Sequence, residues 1–205
     1  MRRHEGLRVR AAKLAAAGRM LKARSGAIAP FSLAFMTDAA RAPDPLLIAR
    51  VMHAGGAIVL RDYRHPKRAA LAAQLQSICA RRGLKLIVGA DIALAQTLGA
   101  AGVHLPRWFS PTTPIPKGMI VTASCHDAAE LDEAKEKGAQ AAFLSPAFAT
   151  QSHPDARALG AARFKQLAAA SPLPVIALGG ADEANAPQLC GPNVAGLAAI
   201  GAFLS

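Results

Sequence analysis

The stretch PVIALGGADEANAPQLCGPNVAGLAAIGAF, residues 174–203, contains two short apolar runs, Val175 to Leu178 and Val194 to Ile200. Gly179 and Gly180 follow the first run, and Gly201 follows the second. Runs this short and uniformly apolar read as strands buried on both faces, the habit of parallel sheets covered by helices. A helical segment is expected between them at 182–190, because parallel neighbours need a crossover connection. The same alternation continues towards the amino terminus. Strands are expected at 31–37, 57–61, 84–89, 102–105, 119–124 and 141–145, and helices at 44–54, 66–82, 91–98, 127–137 and 160–170. Residues 106–118, rich in Pro, read as irregular. Eight strands alternating with helices predict an α/β chain folded as a single (β/α)8 TIM barrel. The alternative, an open doubly wound sheet, would want a glycine-rich fingerprint after its first strand, and FMTDAARAP at 35–43 offers none.

The barrel has one irregularity. The chain of 205 residues stops just after the eighth strand, so the last helix is missing or replaced. Leu7, Ala11, Leu14, Ala17 and Leu21 recur at helical spacing, which predicts an amino-terminal helix over 7–24 with one apolar stripe that could fill the gap. Residues 1–25 are read as a basic helical extension and 26–205 as the barrel domain. The extension carries eight Lys or Arg against Glu5, a balance of +7, so only +4 of the net charge of +11 belongs to the rest. No aromatic residues interleave with those cations to stack bases, which argues against nucleic acid as a partner. Lys13, Arg19, Lys22 and Arg24 interrupt the apolar run that a signal peptide needs, and no stretch reaches membrane-spanning length. Three scattered cysteines, Cys79, Cys125 and Cys190, suggest neither disulfides nor a zinc site. A cytoplasmic protein is expected.

Barrel enzymes react at the carboxyl ends of their strands. There the sequence places Arg61, Ser124, His126 and the glycines Gly179, Gly180 and Gly201, which could bring backbone N–H groups close to an anion. Arg61 could hold a carboxylate or phosphate in bidentate fashion, with a salt bridge to Asp62 as its structural alternative. His126 could move protons near neutrality, or simply cap the helix that follows. His104, inside a strand, reads as a packed, hydrogen-bonded residue. Cys125 and His126 are neighbours on an extended segment and point to opposite faces, so no nucleophile–base dyad is expected.

Over residues 31–203 the chain resembles the thiamin phosphate synthases and their TenI-type relatives, the thiazole tautomerases. The resemblance rests on MTD at 36–38, LR at 60–61, LGAAGVHLP at 98–106, TASCH at 122–126, SPAFATQSH at 145–153, ALGG at 177–180 and AIGAF at 199–203, in that order. It implies a barrel enzyme of thiamin biosynthesis whose small-molecule substrate is a thiazole phosphate. The phosphate would sit on Gly179, Gly180 and Gly201, with Arg61, Ser124, Thr150 and Ser152 beside it. Members are often dimers, so a second copy of the chain is a candidate partner. A synthase would couple a pyrimidine pyrophosphate to the thiazole with Mg2+ as cofactor. Yet Gly89-Ala90 stands where synthases have Asn-Asp, and Phe109 stands where they have Asp. Asp91, one place on, could substitute by a register slip. Of the usual basic and amide residues after strand two, Arg61 remains, and His153 replaces a usual Lys. The TenI-type members lack the metal aspartates and need no cofactor. They shift a proton on a carboxylated thiazole phosphate, and His126 matches their proton shuttle. The resemblance therefore implies a TenI-like tautomerase first, a synthase with a rearranged metal site second, and a non-catalytic phosphate-binding barrel third.

Overall fold

The computed structural model describes residues 2–150 and 157–204. Eight parallel strands close into a barrel in sequence order: β1 Leu33–Met36, β2 Ala57–Leu60, β3 Lys85–Gly89, β4 Gly102–Leu105, β5 Ile120–Cys125, β6 Ala141–Leu144, β7 Val175–Ala177 and β8 Val194–Ala199. Every strand lies within two residues of its expected position. The strand residues alternate between two apolar layers, which explains why the strands read as continuous apolar runs. Ala34, Met36, Ala57, Val59, Phe143 and Ile176 fill the barrel interior. Leu33, Phe35, Ile58 and Leu60 belong to the layer beneath the helices. Small residues dominate the interior, and Phe31 and Phe143 supply its bulk, their rings stacked at 6.1 Å.

The helices are α1 Arg2–Ser25, α2 Pro45–Val51, α3 Arg68–Arg82, α4 Ile92–Thr97, α5 Ala128–Glu136 and α6 Gly160–Ala170. Local chemistry sets several of their ends. Asp44, Asp91 and Asp127 accept from the N–H groups of Leu47, Leu94 and Glu130, capping α2, α4 and α5. The expected helix at 182–190 is a correction. Only a 3₁₀ turn forms, at Ala186–Leu189. Pro187 lacks the donor a helix interior needs, and the Asp182 and Asn185 side chains take up local N–H groups instead.

After β8 the chain makes one more 3₁₀ turn, Gly201–Phe203, with no helix beyond it among the described residues. Helix α1 packs against β8, β1 and α2 and against both 3₁₀ turns, which is where a closing eighth helix would lie. Its apolar stripe, Leu7, Ala11, Leu14, Ala17 and Leu21, is buried in full. Gly18 lets the helix approach the barrel at backbone distance. A Cβ there would run into the Ser32 carbonyl, which also accepts from Leu197 at 3.0 Å. Two effects oppose each other in Gly18→Ala. Helix propensity favours alanine by about 1 kcal/mol, whereas pushing a whole helix off backbone atoms costs about 1–3 kcal/mol. Because the obstacle is a hydrogen-bonded carbonyl that cannot rotate away, the clash should win. A net destabilisation of about 2 kcal/mol is expected in urea unfolding, and an unchanged or raised midpoint would disprove the close seating.

Candidate active site at the carboxyl ends of the strands

A cavity of about 710 Å³ opens at the carboxyl ends of the strands. It is lined by Arg61, Ser124, His126, Thr150, Gly179, Gly180 and Gly201, all of the expected site residues except Ser152. Ser152 lies outside the described residues.

On the β7–β8 side the backbone is arranged for an anion. Gly179 and Gly180 hold left-handed conformations, at φ 83° and 65°. Neither could carry a side chain: a Cβ on Gly179 would press on Pro146, and one on Gly180 would strike the Ala149 carbonyl. Asn185 closes the loop, donating from Nδ2 to the Gly180 carbonyl at 2.8 Å and accepting from the Asp182 N–H at 3.0 Å. The Gly180 carbonyl and the Ala181 N–H share a trans peptide, so this contact turns the Ala181 N–H the other way. Ala181 lines the cavity and is only 4% exposed, yet its N–H, like that of Gly180, meets no acceptor among the described residues. Buried donors are nearly always paired, and for Ala181 a bound anion would supply the partner, with the exposed Gly180 N–H beside it. Gly201 opens the last 3₁₀ turn, where a first N–H is left without an intraturn acceptor, and a Cβ there would meet open space.

His126 stands on the facing wall, between β5 and α5. It does not cap the helix, since Asp127 does. Glu130 accepts from both the His126 backbone N–H and ring Nδ1, each at 2.8 Å. An ionised carboxylate only accepts, so Nδ1 carries the proton and Nε2 is left as the basic nitrogen. The other Glu130 oxygen pairs with Arg107 Nε at 2.9 Å. Arg107 also lines the cavity. Cys125 turns away from His126, its Sγ meeting the Glu130 carbonyl, and burial pushes its thiol up to about 12. No dyad forms.

His104 is fully buried beneath the mouth, with Nδ1 3.1 Å from Thr122 Oγ1 and Nε2 2.9 Å from Ser124 Oγ. Burial first, and the nearby Arg61 charge second, push its pKa down to about 3, so the ring is neutral and helps to hold Ser124 in place. No Arg61–Asp62 salt bridge occurs among the described ion pairs; Asp62 instead accepts from the Ala39 N–H at 2.8 Å. Arg61 lies beside Tyr63, whose hydroxyl is pushed up by burial and partly drawn back by that guanidinium. Asp38 is held by Arg41: burial alone would raise its carboxyl, but the hydrogen bonds and charge of Arg41 outweigh that and leave it below the ordinary value.

Sequence reading passed over Arg41, Tyr63, Arg107, Trp108, Ala181 and Asp182, which also line the cavity. The available signal was position alone, since all six follow strand ends. The wall between β3 and β4 differs from a Mg2+ site. The Tyr63 ring crosses directly over Gly89, where a Cβ would come within 2.9 Å of it, and meets Trp108 edge-on at 5.1 Å. Asp91, the one substitute ligand, caps α4 and pairs with Arg68 at 3.0 Å. Mg2+ wants several oxygen ligands, and no group of three His, Cys, Asp or Glu able to hold a metal occurs among the described residues. The side chains at this wall do not fit the ion.

The sequence profile of the family described as thiamine monophosphate synthase matches residues 33–203. The chain belongs to this family. The thiamine-phosphate synthase of Methanoculleus marisnigri is 37% identical over 166 residues, covering 77% of this chain and 79% of that one. That of Acidithiobacillus ferrooxidans is 29% identical over 180 residues, covering 80% and 82%. The structure of a thiamine phosphate pyrophosphorylase from Pyrococcus furiosus superposes with a TM-score of 0.68 at 22% identity, covering 89% of this chain and 87% of that one, a likeness of fold. No helix is long and apolar enough to cross a membrane among the described residues. The thiamine monophosphate synthase family thus accounts for the barrel and its place in thiamin biosynthesis.

Proposed function

We propose that the chain binds a thiazole phosphate across the barrel mouth and shifts a proton on its ring, as a thiazole tautomerase does. The observation that carries this reading is the pairing of His126 with Glu130 in one cavity with a loop whose Gly180 and Ala181 N–H groups meet no acceptor among the described residues. The phosphoryl group would lie on the N–H groups of Gly180, Ala181 and Gly201. Arg61, Thr150 and the hydroxyl of Ser124 would surround the ring and its carboxylate. His126 Nε2 would take a proton from one ring position and return it at another, so the product is an isomer and nothing is consumed. Glu130 favours the imidazolium formed midway, as a carboxylate partner should.

A second reading, coupling of a pyrimidine pyrophosphate to the thiazole, is favoured by the printed names of the relatives, which are synthases. The residues oppose it, because a departing pyrophosphate needs its charge absorbed and the β3–β4 wall carries Ala90 and Phe109 where the resemblance puts the synthases' aspartates. Two assays separate the readings. The tautomerase should aromatise the carboxylated thiazole phosphate at the same rate with EDTA as with Mg2+, and should form no thiamin phosphate from pyrimidine pyrophosphate and thiazole phosphate. Mg2+-dependent thiamin phosphate formation would establish the coupling reading instead. Phosphate-ligand binding with neither activity would leave a non-catalytic barrel.

A further inference from the structure

Helix α1 packs against β8 and β1, and its position brings a charge to the back of the phosphate loop. Arg10 of α1 forms an ion pair with Glu183, the residue between Asp182 and Ala184 in the loop that follows Gly179-Gly180. Both side chains are largely sheltered, at 27% and 19% exposure, and Glu183 Oε2 is buried with no hydrogen-bond partner among the described residues. The same helix packs against the 3₁₀ turn at Ala186–Leu189, which follows the Gly179-Gly180 loop, and against the turn that Gly201 opens. A carboxylate three residues from Gly180 would by itself oppose an anion there. Sheltered from water, its charge is only weakly screened.

We infer that Arg10 is a positioning residue for the phosphate site, acting through Glu183: it cancels the carboxylate charge and seats the loop, making the amino-terminal helix part of anion recognition. This rests on the reading that Gly180, Ala181 and Gly201 bind phosphate. The test is the affinity of the full chain for inorganic phosphate by calorimetry, with the melting temperature recorded for each variant. Arg10→Ala should weaken binding about tenfold. Arg10→Lys, which keeps the charge, should bind like the parent. Arg10→Ala with Glu183→Gln should recover most of the affinity even though the ion pair is gone and the melting temperature is no higher. A merely structural role would lower the melting temperature in both alanine variants and leave affinity unrestored by Glu183→Gln.

Unchanged affinity in Arg10→Ala, or no recovery in the double variant, would overturn the inference while leaving the phosphate site standing. A parent protein that does not bind phosphate at all would overturn the site and the inference together. If Arg10→Ala fails to fold, Glu183→Gln alone decides the matter. It should bind phosphate at least as tightly as the parent, and weaker binding would refute the role assigned to the charge.

Discussion

Replacing His126 by alanine is expected to slow the aromatisation of a carboxylated thiazole phosphate by about a thousandfold, the middle of the range for a lost general acid–base group. The backbone of this segment does not depend on the imidazole. Asp127 caps α5 unaided, and Glu130 still accepts from the residue 126 N–H. The side chain is 45% exposed, so its removal should leave no cavity. Stability and phosphate affinity should therefore stay near the parent values while the rate collapses. Glu130→Gln gives the complementary result. The amide still accepts from the backbone but supplies no negative charge to the imidazolium, so the rate should fall about tenfold. An unchanged rate in His126→Ala would remove the tautomerase reading.

The second large effect belongs to Gly201. Gly201→Leu should reduce affinity for a thiazole phosphate at least about a hundredfold, since the side chain would occupy the space in front of the donors and displace the phosphoryl group. The residue begins a turn rather than sitting in a left-handed bend, and a Cβ there meets nothing within 4 Å. Folding should survive the change, unlike a substitution at Gly179 or Gly180, where the backbone itself forbids a side chain. Gly201→Ser keeps the N–H, adds a hydroxyl donor and should bind as well or better. Equal affinity for the leucine variant, measured on protein with an unchanged melting temperature, would move the phosphate elsewhere in the mouth.

Both predictions concern residues visible before any coordinates. A histidine after the fifth strand and glycines after the seventh and eighth stand out because the barrel exposes strand ends. Glu130 was within reach, four residues past His126, but His126 precedes the helix cap, and helical spacing could not show that its ring folds back onto Glu130. Arg107, Tyr63 and Trp108 carried no periodic signal at all. The segment from 106 to 118 is irregular, and the direction of its side chains depends on which loops it meets.

By itself the sequence determined the barrel, the order of its strands and the buried stripe of the amino-terminal helix. Those features follow from burial repeated along the chain at strand and helix spacing, which is local information. Tertiary structure decided the rest. Closure of the barrel brings Arg10 against Glu183 across 173 positions of sequence, lays Tyr63 over Gly89 and turns Asp91 to a structural task. A contact between distant loops depends on the angle at which eight strands close, and no pattern within one segment records that angle.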